Sequence, residues 1–328
     1  MPPYPASHKL VPYKALFPPI IRTVRPCVTA PPQIAERTQQ NRSGIGLKIF
    51  ERQCKEGLTV FRVRRRSCPR TGRTDRSHDR YMRCAEIFQR CVRAMDQRQL
   101  IVRETSRDKE FHFQNWFEAC LRQTQLNYER GGRNSYPDFR LVAETEGYEI
   151  KGLAYPGREA SYDCNSQVPS GFHNGRTIYY VFGRYPSQPD GDRYPVLDLV
   201  TCHGDFLNAH HEYVHENKSI RGFGSYGDIM IRDRKMYVAP TPFGLLEGVV
   251  HQRTLILPPD VRLSAEYVQV GEIVRRETER LLVAYSFDLK ENRITAKWVD
   301  NPARGREHCF RAYRVAGDST EHVSLRAG

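Results

Sequence analysis

The sequence predicts an α/β fold built on a mixed central sheet flanked by helices, and three observations predict it. Two stretches before residue 128 place apolar residues at three- and four-residue steps. Short runs rich in β-branched and aromatic residues follow residue 136, separated by Gly, Pro and Asp clusters. A helical pattern then returns near residue 263.

Residues 1–35 carry the pairs Pro2-Pro3, Pro18-Pro19 and Pro31-Pro32, a composition that predicts an extended arm. LTVFRVR (58–64) alternates enough to predict a strand. From Arg62 to Arg80 there are eight arginines in nineteen residues, Arg64, Arg65 and Arg66 among them, mixed with Ser, Thr, Pro and Gly. That mixture suits a phosphate-facing loop, and a solvated surface loop is the plain alternative. Tyr81, Met82, Phe88, Cys91, Val92 and Met95 predict a helix over 81–97. Phe113, Trp116, Phe117, Cys120, Leu121 and Thr124 predict another over 110–127. Both stripes read as core packing. Strands are expected at FRLV, GYEIKGL, RTIYYVFGRY, PVLDLVT and KMYVAP. A helix is expected over 263–285, followed by strands at FDL and ITAKWV.

Composition narrows the function classes. At 39% hydrophobic residues the chain can bury a sizeable core, and 51 Lys+Arg against 38 Asp+Glu leave it at +13. Such a surplus favours polyanionic partners and names no chemistry. No apolar run approaches the ~20 residues of a membrane span, and the N-terminus lacks a signal-peptide core, so a cytoplasmic protein is expected. Nine cysteines without a CxxC pair lead to an expectation of reduced thiols.

The segment SYPDFRLVAETEGYEIKGL carries the most chemistry. Asp138 follows a proline at the start of an apolar run, and Glu149-Ile150-Lys151 comes eleven residues later. On a strand Glu149 and Lys151 share a face while Ile150 points into the core. Two carboxylates suit a hard ion such as Mg²⁺, which polarises a phosphate and acidifies bound water. An ammonium beside that water can orient it. Sharing an ion requires Asp138 and Glu149 to lie nearly opposite each other, which predicts a turn near 143–145. Local turn chemistry instead favours Glu146-Gly147.

Pro137-Asp138 and Glu149-Ile150-Lys151, after a helix and before a further strand, resemble the PD-(D/E)xK nuclease superfamily over roughly residues 110–205. The resemblance implies a restriction-endonuclease-like core and a metal held by Asp138, Glu149 and the Ile150 carbonyl, with Lys151 serving the nucleophilic water. Some members add a carboxylate from the preceding helix; Glu118 is the candidate and Glu110 its rival. The implied activity is type II restriction of double-stranded DNA by a homodimer in a bacterial cytoplasm, with Mg²⁺ as cofactor and a cognate methyltransferase protecting the host. The alternatives are a modification-dependent, repair or transposon-associated nuclease, and a non-catalytic DNA-binding protein.

On this reading the chain divides into the arm (1–35), a basic region (36–100), a catalytic and recognition domain (100–260) and a helix-strand region (261–328). Arg232-Asp233-Arg234 resembles the Arg-acid-Arg triplet of enzymes reading CCGG- or CCNGG-type sites. Arginines can pair with guanine edges and the acid with cytosine; a surface salt link is the alternative. Several members of that group move the catalytic acid to a later helix, whereas Glu149 is in place here. RGFGSYGD (221–228) lacks the end of a phosphate-binding loop, and is expected to approach DNA or pack closely. CHGDFLNAHHEYVH holds Cys202, His203, His210, His211 and His215; His211 and His215 on one helix face, with Cys202, admit a zinc reading, beside the plainer one of satisfied or solvated histidines.

Overall fold

In a computed structural model the described residues are 82–104, 109–132, 135–157, 159–165, 167–209, 224–231, 237–245, 253–288, 290–291 and 293–318. The proline-rich arm, the strand expected at 58–64, Arg64, Arg65, Arg66, His210, His211, His215, Arg232, Asp233 and Arg234 lie outside them. So does the side chain of Glu110.

Helix α1 (Met82–Asp96) and helix α2 (Lys109–Arg122) match the two expected stripes. Cys84, Ile87, Phe88, Cys91 and Val92 are buried along α1, and Phe113, Trp116, Phe117, Cys120 and Leu121 along α2. The second helix stops before the expected 127. Residues 123–125 form a turn in which Gln125 takes the left-handed conformation, φ 61°, and the Thr124 hydroxyl donates to the Leu121 carbonyl.

The labelled strands are β1 (Tyr128–Arg130), β2 (Phe139–Leu141), β3 (Glu146–Tyr155), β4 (Ser161–Asn165), β5 (Arg176–Pro186) and β6 (Asp198–His203). They continue with β7 (Tyr237–Pro240), β8 (Arg253–Leu257), β9 (Tyr267–Arg276), β10 (Arg280–Asp288), β11 (Arg293–Asp300) and β12 (Glu307–Val315). An open, nine-stranded mixed sheet runs β9-β12-β8-β6-β5-β3-β2-β1, and Phe172–His173 pairs with β5 as the ninth strand. β3 lies parallel to β5 and β6 parallel to β8, while the other pairings are antiparallel.

Alternation along the central strands divides the core in two. Tyr148, Ile150, Tyr179 and Val181 pack with α1 and α2 on one face. Leu153, Ile178, Tyr180 and Phe182 pack on the other with Tyr162 of β4 and Tyr237 of β7. The fold is therefore mixed α/β, mostly sheet. Helices α1 and α2 cover one face, while β4, β7, the β10–β11 hairpin and a one-turn helix at Pro242–Leu245 contribute to the cover on the other, so strands stand there where flanking helices are expected.

The helix expected over 263–285 is replaced by β9 and β10. Its density of Arg and Glu imitates a solvated helix, but from Glu272 the burial alternates, with Ile273 and Arg275 inward and Val274 and Arg276 outward. Two charged residues become buried because they gain tertiary partners: Arg275 pairs with Asp228, and Glu277 meets the His308 ring. Among the described residues after 261 the regular elements are thus strands, and β9 and β12 extend the same sheet as β3 and β5.

Among the described residues no helix is long and apolar enough to cross a membrane. Cys84, Cys91, Cys120, Cys164 and Cys202 are free and buried. Cys309 departs from the expected reduced state, being disulfide-bonded.

Candidate active site

The β2–β3 hairpin pairs Phe139 with Tyr148 and Arg140 with Gly147, so the chain turns over residues 142–145. Asp138 stands one residue before the last paired residue of β2 and Glu149 one residue after its partner on β3, so continuing the register would set the two acids opposite each other. Arg176 closes the turn from β5. Its Nη1 donates to the carbonyls of Leu141 at 2.7 Å, Glu144 at 2.9 Å and Glu146 at 3.4 Å.

Tyr148 and Ile150 belong to the helix-side core, which turns Glu149 and Lys151 to the opposite face. The Ile150 N–H donates to Asp138 Oδ2 at 2.8 Å. Lys151 Nζ lies 2.7 Å from Glu149 Oε1, and the two side chains are 25% and 12% exposed. The ammonium also sits 5.7 Å from the Tyr162 ring centre. Burial pulls the Lys151 ammonium down, but the Glu149 and Asp138 carboxylates more than offset this and hold it above its ordinary range. Burial pushes the neighbouring Cys164 thiol up to about 12, which keeps it protonated.

Glu149 Oε2 is buried with no hydrogen-bond partner. A carboxylate oxygen removed from water without a donor is costly, and a hard divalent ion is one group that satisfies it. Asp138 and Glu149 supply oxygen donors suited to Mg²⁺. Among the described residues no cluster of three or more His, Cys, Asp or Glu side chains is set to hold a metal. An ion here would therefore rely on this carboxylate pair, backbone oxygen and water.

Glu118 has other partners. Its carboxylate accepts from Arg122 at 2.9 Å, the Tyr128 hydroxyl at 2.9 Å and Arg130 at 2.6 Å. These contacts tie α2 to β1. Cys202 is a buried free thiol in β6, and His203 Nδ1 accepts from the Asp205 N–H at 3.2 Å. Burial lowers the pKa of His203, so a neutral ring is favoured there. Residues 224–228 of the glycine-rich segment pack closely: Ser225 is fully buried and its hydroxyl bonds Asn208.

Sequence reasoning missed the tyrosines around the carboxylates. In register Tyr180 is the β5 neighbour of Glu149, and its hydroxyl lies 2.8 Å from that of Tyr136. Alternation in RTIYYVFGRY groups Ile178, Tyr180 and Phe182 on one face, but the parallel register with β3 is invisible in the sequence. No family model, curated protein or solved structure matches the chain, so the chemistry of the site alone carries its assignment.

Proposed function

We propose that the chain is a Mg²⁺-dependent endonuclease with a PD-(D/E)xK core, acting on double-stranded DNA as a type II restriction enzyme. The observation that carries this reading is the meeting of Asp138, Glu149 and Lys151 on one face of the sheet, with a buried Glu149 oxygen left unsatisfied. Asp138, Glu149 and the Ile150 carbonyl would hold the ion. A bound Mg²⁺ supplies charge stabilisation at the phosphate and acidifies its water. Lys151 stays charged near neutral pH, orients the attacking water and offsets charge gathering on the phosphate oxygens. Water adds to phosphorus as the bond to the 3′ oxygen breaks, leaving a 5′-phosphate and a 3′-hydroxyl.

Cutting both strands of a palindrome calls for two such sites, hence a homodimer, and a cognate methyltransferase would protect the host. The surplus of thirteen positive charges favours the encounter with DNA.

Digestion of unmethylated phage DNA by the purified chain tests the reading, with and without Mg²⁺ and beside Asp138→Ala. Discrete bands that require both Mg²⁺ and Asp138 are expected. DNA that is bound but left intact, whether methylated or not, would overturn the catalytic assignment in favour of a binding protein.

A further inference from the structure

The sheet ladder ends at Phe139, one residue short of the carboxylate that the site depends on. The segment carrying Asp138 is therefore held by other contacts. The Gly131 N–H donates to the Asp138 carbonyl at 2.7 Å, and Arg140 donates to the Tyr136 carbonyl at 3.3 Å. Besides the Ile150 N–H that donates to the Asp138 carboxylate, a contact reaches across β3 to β5, where the Tyr136 hydroxyl meets that of Tyr180 at 2.8 Å.

Tyr180 is a rigid anchor. It is 1% exposed, stacked on Phe182 at 6.1 Å between ring centres and flanked by Tyr162 at 6.4 Å. Its position on β5 faces Glu149 in the parallel ladder. Asp138, one residue before β2, thus stands in line with Glu149 on β3 and Tyr180 on β5. Tyr136, with His173 edge-on to its ring at 4.9 Å, spans from the Asp138 segment back to the end of that line.

We propose that Tyr136 and Tyr180 are positioning residues that act as one unit, their shared hydroxyl bond fixing the Tyr136-Pro137-Asp138 segment so that Asp138 stays opposite Glu149 for a divalent cation. This inference rests on the metal-site reading above. It assigns the pair no contact with DNA. Groups that orient a metal ligand without touching the ion commonly alter affinity by about 10–100-fold. Two residues joined by one bond should lose it once, whichever is changed.

The test uses the full chain and Mn²⁺ as probe, with binding read from loss of the free-ion paramagnetic resonance signal. Tyr136→Phe, Tyr180→Phe and the double variant are compared with the parent and with Asp138→Ala. Each single variant is expected to weaken Mn²⁺ binding about 10-fold, and the double variant no more than either single. The Mg²⁺ concentration for half-maximal cleavage should rise in parallel, with the rate at saturating Mg²⁺ kept within about 3-fold. Unchanged affinity in the single variants, losses that add in the double, or a parent that binds no Mn²⁺ through Asp138 would each overturn the proposal. If the parent cuts DNA while the variants bind Mn²⁺ normally, the nuclease reading stands and the positioning role falls. If the parent binds Mn²⁺ with the expected variant pattern but cuts nothing, the positioning role stands and the nuclease reading falls.

Discussion

Asp138 accepts a 2.8 Å hydrogen bond from the Ile150 backbone N–H, joining the two strands of the β2–β3 hairpin one step beyond its last paired residues. The bond holds one carboxylate beside Glu149 while the other is held by Lys151. On the proposed reading both acids are held in place without an ion, which would limit the reorganisation that binding one demands. The arrangement also places the Lys151 ammonium where it feels both charges.

Lys151→Met is expected to lower cleavage at saturating Mg²⁺ by about 100-fold or more, in the range for loss of a group stabilising transition-state charge. Since both carboxylates raise the ammonium above its ordinary range, it stays charged throughout neutral pH. The parent's rate between pH 6 and 9 should carry no limb that disappears in the variant. Initial rates across that interval check both points, and a parent-like rate would remove Lys151 from the chemistry.

Glu118→Gln should leave the cleavage rate within about 3-fold of the parent and lower stability by roughly 1–3 kcal/mol, the cost of disturbing hydrogen bonds to a buried charged group. Arg122, Tyr128 and Arg130 all converge on this carboxylate, which joins α2 to β1. Urea unfolding beside a cleavage assay separates the outcomes. A loss of 100-fold or more in rate with stability unchanged would return Glu118 to the metal site.

Much of this site was legible because its constraint is local. Asp138 and Glu149 must face each other to share an ion, and that requirement alone selects a turn near 143–145, where the chain does turn. The rival signal at Glu146-Gly147 has a different origin. A Cβ at Gly147 would lie 2.6 Å from Pro137 Cγ, so the glycine admits the proline ring and forms no turn. The strands at 139, 147, 176 and 198 announced themselves by β-branched and aromatic runs. What stayed hidden depends on distant partners. Arg275 and Glu277 look solvated until Asp228 and His308 are folded against them, which is why 263–285 imitates a helix. Tyr180 looks like ordinary core until the β3–β5 register sets it beside Glu149.

Arg176→Met should cost about 1.5–3 kcal/mol, the scale for hydrogen bonds made by a charged donor. It should also reduce cleavage, because this guanidinium gathers the carbonyls of Leu141, Glu144 and Glu146 around the turn. Hydrogen exchange at residues 139–150 reports the loosening directly. Unchanged exchange there would show that the strand pairing suffices to set the turn.

Gly183→Ala is expected to destabilise by about 3 kcal/mol or more, at the upper end for overpacking. Gly152 and Gly183 are register partners on β3 and β5, and the Phe113 ring of α2 lies against both. A Cβ at Gly152 would approach Phe113 Cβ to 2.7 Å, and one at Gly183 would meet the ring itself. Neither strand nor helix can move aside without disturbing the helix-side core. Adding Phe113→Leu should restore part of the loss. If the double variant is no more stable than Gly183→Ala alone, the ring is not the obstacle.

Glu146 gives the stability of the fold a dependence on pH. Burial pushes its carboxyl up to about 7, partly offset by the Tyr148 hydroxyl that donates to it, with Glu144 and Glu86 adding to the rise and Arg83 opposing it. Between the ordinary carboxyl range and pH 7 the folded state holds a proton that the unfolded state has released. Stability from this group therefore falls as pH rises through that window, by up to roughly 3 kcal/mol, since each tenfold difference in proton affinity is worth about 1.36 kcal/mol. Glu146→Gln, which keeps the shape and an acceptor for Tyr148, should match the parent near pH 4.5 and exceed it at pH 8. Urea midpoints measured at pH 4.5, 6 and 8 check the difference. A gap between variant and parent that stays constant across the three would mean that Glu146 binds its proton equally well in the folded and unfolded chain.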